Sequence, residues 1–172
     1  MKPASHTYRF SLASEVDASA VEVWAHALSM AGVNRELFPL ARMTSPPGVA
    51  VLDPGSVQLG RPLFRSWILL FGLLPIDYDD LTFVEFEPGR RFLEASPLLS
   101  QREWVHERIV EPKGSGCRIS DSISFVPRVT LLGPVYLPVF RLVFRLRHRN
   151  LSRIFGRLLS NLPMQRTRGE QA

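Results

Sequence analysis

Cysteine is almost absent from this chain of 172 residues: Cys117 is the single copy. One thiol excludes an internal disulfide and fits a reducing compartment. Its neighbours, Gly116 and Arg118, bring no acid or base beside it, which fits a small strand residue rather than a nucleophile. Long hydrophobic runs are lacking too. The apolar run from Trp67 to Ile76 is ten residues long and is interrupted by Gly72 and Pro75, too short to span a bilayer. Lys2 is followed by no apolar run, so no signal peptide is expected and the protein reads as cytoplasmic. There is no phosphate-binding glycine loop, no zinc spacing and no nucleophile elbow. The four histidines, His6, His26, His106 and His148, are scattered over different elements. No metal site and no cofactor are therefore expected.

What is present is ordinary for a globular chain: 45% hydrophobic and 22% charged residues, enough to build a core without staples. The net charge of +5 is unevenly spread. From Arg141 onward there are eight arginines and one acid, Glu170, giving that segment +7 and leaving −2 for the rest. Such a segment is most simply a solvated face. The functional alternatives are an anionic membrane surface or nucleic acid. The basic face has no interleaved aromatics, which argues against single-strand nucleic-acid binding.

Those arginines lie on the longest helical pattern of the chain. Pro134 or Pro138 can begin it, Asn161 and Pro163 can end it, and Pro138 to Ser160 defines its body. Val139, Phe140, Val143, Leu146, Leu151, Ile154, Phe155, Leu158 and Leu162 form a broad apolar arc. Arg141, Arg145, His148, Arg149 and Ser152 lie opposite, on the wet face. Arg147 falls inside the apolar arc. The simpler expectation is that it snorkels along its apolar stem. The alternative is that the helix faces a cavity and Arg147 meets an anionic group there.

Upstream, Thr7 to Ala13 alternates with period 2 and predicts a strand. Ser19 and Glu22 form a capping-box pattern, followed by apolar residues at helical spacing until Gly32 stops the helix. A second short helical piece spans Asn34 to Leu40. Thr44 to Pro62 is rich in turn residues, with a short strand at Val49 to Leu52. Strands are predicted at Phe64 to Phe71, Asp80 to Phe86, Arg91 to Ser96, Arg102 to Val110 and Arg118 to Val126. Asp79-Asp80 and Arg90-Arg91 read as solvated turn residues. The polar residues Met164 to Ala172 form a loose basic tail, so one domain is expected over residues 1–163.

The last two strands carry the most informative pattern. A loop around Lys113-Gly114-Ser115-Gly116 sets Arg108 opposite Asp121, His106 opposite Ile123 and Trp104 opposite Phe125. Cys117, Ile119, Asp121, Ile123 and Phe125 share the apolar face, which must meet the core, so Trp104, His106 and Arg108 face it too. Charges on an inner face cost free energy unless paired, and Arg108 can pair with Asp121 across the strands. The simpler reading is a structural ion pair beside a core histidine. The alternative is a polar patch lining a ligand cavity, with His106 as a general base.

The element order is one strand, two helices, a run of about six antiparallel strands, then a long helix. Together with Val16-Asp17-Ala18-Ser19-Ala20-Val21-Glu22-Val23-Trp24, Trp104-Val105-His106-Glu107-Arg108 and Asp121-Ser122-Ile123-Ser124-Phe125 before Pro127, it resembles the START-like (Bet v 1-like, SRPBCC) superfamily. Within that superfamily it is similar to the polyketide cyclase/dehydrase and lipid-transport type. The resemblance implies an α+β helix-grip fold. A curved antiparallel sheet of about seven strands wraps around the C-terminal helix, with two short helices after the first strand. It also implies a cavity for a hydrophobic molecule such as a lipid, sterol or polyketide. The expected function is binding or carriage of that molecule. Trp67, Tyr78, Phe83, Trp104, His106, Arg108, Asp121, Phe125, Val143 and Arg147 are the candidate ligand-contacting residues. The alternative is a cyclase- or dehydratase-type enzyme, with His106, Arg108 and Asp121 as candidate catalytic residues and Tyr78 as an extra proton donor. No nucleic acid is expected as partner. Peripheral contact with an anionic membrane through the basic helix is the third reading.

Overall fold

A computed structural model of the chain describes residues 6–157. The order is β1 (Tyr8–Val16), α1 (Ala20–Ala27), α2 (Met30–Leu37), β2 (Ala41–Met43), β3 (Phe64–Leu70), β4 (Leu74–Leu81), β5 (Phe83–Glu87), β6 (Arg91–Ala95), β7 (Gln101–Lys113), β8 (Gly116–Pro127) and α3 (Gly133–Phe155). This is the expected helix-grip architecture of two short helices, antiparallel strands and a long closing helix. The strands hydrogen-bond as two sheets, five in the order β1-β8-β7-β6-β5 and three in the order β2-β3-β4. A bridge between Asp79 and Leu98 ties the second to the first, and the chain passes from β4 to β5 through Thr82 alone.

Local chemistry explains the helix starts. Ser19 caps α1 in a reciprocal box with Glu22, and the Ser29 side chain accepts from the Gly32 amide at the start of α2. Gly32 does not stop a helix, as the pattern suggested. It lies inside α2, where a Cβ would overlap the His26 carbonyl oxygen. The glycine is there for close packing of α1 against α2.

Three further expectations are corrected. The run from Trp67 to Ile76 folds back on itself as the β3–β4 hairpin, because Phe71 and Gly72 both take positive φ (50° and 73°) and the Leu73 amide reaches the Leu70 carbonyl. The turn therefore falls there and not at Asp79-Asp80. Both of these acids lie on β4. Asp79 is buried, and Asp80 accepts a two-pronged bond from Arg65. Arg91 is likewise no free turn residue, since it donates to Glu107 from β6. Val51 makes only an isolated bridge to Ser29.

Helix α3 starts at Gly133 with Pro134 in its first turn, the earlier of the two expected starts, and takes Pro138 into its interior. It ends at Gly156, whose φ of 77° suits glycine. Asn161, Pro163, Leu158, Leu162 and the tail from Met164 lie outside the described residues. The predicted wet face holds for Arg141, Arg145 and Arg149 but fails for His148, which is buried. Two apolar clusters sit between helix and sheets. One is centred on Val16, Trp24, Phe83, Phe92, Ile119 and Leu151, the other on Ile123, Phe125 and Phe144. On β8, Asp121 stands between Ile119 and Ile123, so charge separates the two.

Gly32→Ala tests the packing reading. Helix propensity alone favours alanine by about 1 kcal/mol, yet overpacking costs about 1–3 kcal/mol. The variant is expected to melt lower than wild type in a thermal denaturation followed by circular dichroism.

Candidate functional site

The β7–β8 register pairs Trp104 with Phe125, His106 with Ile123 and Arg108 with Asp121, as the sequence predicts. Period 2 turns all of these inward. Helix α2 supplies a residue the sequence reading missed. Glu36 shares a face with Val33 and Leu37 and is fully buried. Arg108 is clamped between two carboxylates. Its Nε and Nη2 donate to the two Asp121 oxygens at 2.8 Å each, while Nη1 and Nη2 donate to the two Glu36 oxygens at 2.9 and 3.0 Å. Arg147 reaches Glu36 from α3 (Nε to Oε2, 2.9 Å). It meets an anionic group inside the molecule rather than snorkelling. His148 Nε2 lies 3.1 Å from Asp121, with its Nδ1 2.8 Å from Ser14 Oγ.

The network continues along β7 and β6. His106 places Nε2 2.9 Å from Asp121 and Nδ1 3.4 Å from Glu94. Glu94 accepts from Ser96 Oγ at 2.8 Å. Asp79, on β4, comes next, and its buried Oδ1 has no hydrogen-bond partner.

Burial opposes ionisation everywhere in this cluster, and the neighbours decide the outcome. For Glu36, burial pushes the carboxyl up, but Arg108 and Arg147 outweigh it and hold it below the ordinary range. For Asp121, burial is again opposed, by Arg108 first and then His106, and the carboxyl is held well below. Burial would depress His106, yet Asp121 and Glu94 raise it. Burial also opposes Glu94, but His106 keeps it low. Asp79 has no cation of its own. Burial and the Glu94 charge push it well above the usual carboxylate range, which favours its protonated form. Glu36, Glu94 and Asp121 are met by Arg108, Arg147 and His106.

Beside this network lies a cavity of about 240 Å³, near the lower end of the ~300–1,000 Å³ typical of small-molecule sites. Its walls are α2, the three-stranded sheet, the inner faces of β5 to β7 and the first half of α3, with Met30, Leu37, Ile68, Leu81, Phe140 and Phe144 among the apolar lining. Polar groups gather where Asp77, Asp79, Glu94 and His106 reach it, with Ser66, Arg108 and Arg147 also on the lining.

Of the candidates, Phe83, Trp104, His106, Arg108, Val143 and Arg147 line this cavity. Trp67, Tyr78, Asp121 and Phe125 do not. Trp67 and Tyr78 are partners on β3 and β4, and period 2 turns both outward because Ser66, Ile68, Asp77 and Asp79 face in. Their rings meet edge to face, and the Arg65 guanidinium sits over Tyr78. Asp121 is sealed behind Arg108 and His106, and Phe125 packs against Tyr8 and Phe140. Asp79, Glu94 and Asp77 are the functional candidates that sequence reasoning missed. Phe92, Glu94 and Ser96 alternate on one face, which was the available signal for Glu94.

A long closing helix gripped by antiparallel strands, with an apolar cavity between them, defines a helix-grip fold. Residues 14–155 match the family described as Domain of unknown function (DUF8410), and the chain belongs to that family. Among solved structures it is similar to protein CV1439 from Chromobacterium violaceum, with 14% identity over 86% of this chain and 96% of that one, TM-score 0.65. A START superfamily protein from Mycobacterium smegmatis is 8% identical over 86% of this chain and 96% of that one, TM-score 0.60. DynU16, from the dynemicin biosynthetic locus, is 15% identical over 87% of this chain, which spans 49% of DynU16, TM-score 0.53. No curated protein matches.

Two outcomes follow. Arg108→Met leaves Glu36 and Asp121 without their main partner, and removing one partner of a buried ionic group costs about 3–5 kcal/mol. Urea denaturation should show that loss. Asp79 has a folded pKa above its unfolded value, so its contribution is complete below about pH 4 and is lost as pH rises toward the folded value. Asp79→Asn removes that loss. Its stability relative to wild type is expected to be unchanged near pH 4 and to increase toward pH 7, read from melting curves at the two pH values.

Proposed function

We propose that this protein binds and carries a hydrophobic small molecule, lipid-, sterol- or polyketide-like, that bears one hydrogen-bonding group. The observation that carries this reading is Asp79. Its buried Oδ1 lacks a partner, and the residue lines an otherwise largely apolar cavity. Buried polar atoms are normally satisfied, so an unpaired one at a cavity wall marks where a ligand hydroxyl or carbonyl would sit. The apolar walls supply affinity through burial, about 25 cal/mol per Å² of apolar surface, and Asp79 supplies orientation.

A cyclase- or dehydratase-type activity is the second reading, favoured by the same carboxyl. A protonated acid in a water-poor cavity is suited to give a proton to a substrate oxygen. In this form of the reading Asp79 takes the role first assigned to His106, because both His106 nitrogens already face carboxylates. Arg108 and Asp121 then act as positioning residues that hold His106 and Glu94 in place.

The test is native mass spectrometry of the freshly purified protein with organic extraction, followed by titration with the fluorescent probe N-phenyl-1-naphthylamine. Wild type is expected to bind the probe in competition with whatever is extracted. Val143→Trp, which fills the cavity, is expected to weaken probe binding at least about tenfold, 1.4 kcal/mol, with its melting temperature retained. Unchanged probe affinity in a folded Val143→Trp protein would remove the cavity as the binding site. Asp79→Asn separates the two readings: a carrier keeps its ligand, while an enzyme keeps binding and loses turnover.

A further inference from the structure

The cavity opens where three segments meet. Leu70 and Ile76 of the β3–β4 hairpin, Leu40 and Ala41 at the start of β2, and Val139 and Val143 of α3 all line it. Ile76 and Val139 are also half exposed, which places them at the mouth. Outside the mouth the apolar surface continues instead of giving way to polar residues. On the hairpin side Phe71, Leu73 and Leu74 are 63%, 85% and 60% exposed. On the helix side Leu131, Val135 and Leu142 are 87%, 57% and 57% exposed. None of these six contributes to either core cluster. Isolated exposed apolar residues need no explanation, but clusters beside an opening do.

Phe71 sharpens the point. It sits at the hairpin tip with φ of 50°, a left-handed conformation that a bulky residue rarely adopts. Asparagine or glycine would suit that turn better. An aromatic side chain is held outward there against the local preference.

Charge identifies the occupant. The segments 37–52, 67–76 and 128–157 contain no aspartate or glutamate, although the chain has 16 acids in all. The same segments hold eight arginines, all exposed except Arg147, which is buried against Glu36. Arg42 lies against the hairpin tip beside Gly72 and is exposed. Along α3, Val135, Pro138, Val139 and Leu142 fall on one outward stripe, and the stripe continues as Arg145, Arg149 and Arg153, all exposed. A second copy of this surface would bring arginines against arginines. Apolar side chains projecting past a ring of cations match an anionic lipid surface, where the former enter the acyl boundary and the latter meet the headgroups. No helix among the described residues is long and apolar enough to cross a membrane, so the contact is peripheral.

We propose that the mouth of the cavity docks on an anionic lipid bilayer, with the β3–β4 hairpin tip inserted and the arginines of α3 on the headgroups. This places the opening against the membrane, and it does not depend on which molecule the cavity holds.

The test is flotation of the full chain with vesicles of phosphatidylcholine alone and of phosphatidylcholine with 30% phosphatidylglycerol. Binding is expected to the anionic vesicles at low salt and to weaken in 0.5 M salt. Arg141→Glu, Arg145→Glu and Arg149→Glu together are expected to lower affinity by at least about fivefold per arginine, since each basic residue near the surface is worth about 1 kcal/mol. Leu73→Asp with Leu74→Asp is expected to abolish flotation while leaving the circular dichroism spectrum and melting temperature unchanged. Phe71→Trp fluorescence is expected to be quenched by brominated lipid. Absence of flotation with anionic vesicles overturns the proposal. So does salt-sensitive flotation that survives the Leu73/Leu74 pair, because helix charge alone would then suffice. A dimer in sedimentation analysis that the same pair dissociates overturns it as well, by assigning the apolar rim to a second copy.

Discussion

Arg108 is the residue on which the interior depends. Its guanidinium fills both of its donating edges, one with Asp121 across the β7–β8 hairpin and one with Glu36 on α2. Those two carboxylates then recruit Arg147 and His148 from α3 and His106 from β7. One planar cation thus joins a helix, two strands and, through its partners, the closing helix. Arginine suits this position because its fork matches two carboxylates at once and stays charged when buried. Burying so many charges is no route to a large net stabilisation. What the arrangement does is tie α2 and α3 to the sheet through one set of contacts, Glu36 meeting Arg108 of β7 and Arg147 of α3.

That paired cluster also shapes the site. With Arg108, Asp121 and Glu36 fully engaged, their charges are spent on one another and are not presented to a ligand. The chain of contacts runs outward through His106 and Glu94 and ends at Asp79, a buried carboxyl with no cation beside it. Burial and the neighbouring Glu94 charge favour its protonated form. A cavity wall that is aliphatic and aromatic therefore finishes in a carboxyl whose surroundings disfavour ionisation. That is compatible with an apolar ligand carrying a hydroxyl or carbonyl and ill suited to a fully ionic one.

The hairpin of β3 and β4 gives the molecule its other asymmetry. Its inner face closes the cavity with Ile68, Leu70 and Ile76, and its tip carries exposed leucines on a turn bent through Phe71 and Gly72. Opposite it, α3 changes character along its length, apolar outward at its start and arginine-rich after Leu142. The two features meet at the opening, so the entrance to the cavity is both apolar and cationic.

Much of this was legible in the chain itself. Period-2 alternation on either side of the Lys113 to Gly116 loop was enough to pair Arg108 with Asp121, because a one-residue slip would have put every apolar residue of β8 in water. The capping box at Ser19 and Glu22 marked the start of α1, and the order of elements pointed to the helix-grip family. Other features needed three dimensions. Glu36 lies 72 residues from Arg108, and no local pattern says which buried cation a helix acid will meet. Asp79 read as a turn residue because two adjacent acids look solvated, yet the turn falls at Phe71-Gly72 and shifts β4 so that Asp79 points inward while Tyr78 points out. Gly32 looked like a helix stop, although it is needed for the approach of α1 to α2. His148 looked wet on a helical wheel, since a wheel cannot show that Asp121 lies across from it. Local spacing thus determined which residues share a face. Only the tertiary structure decided which faces meet, because pairing energies between distant segments depend on where the folded backbone brings their charges together.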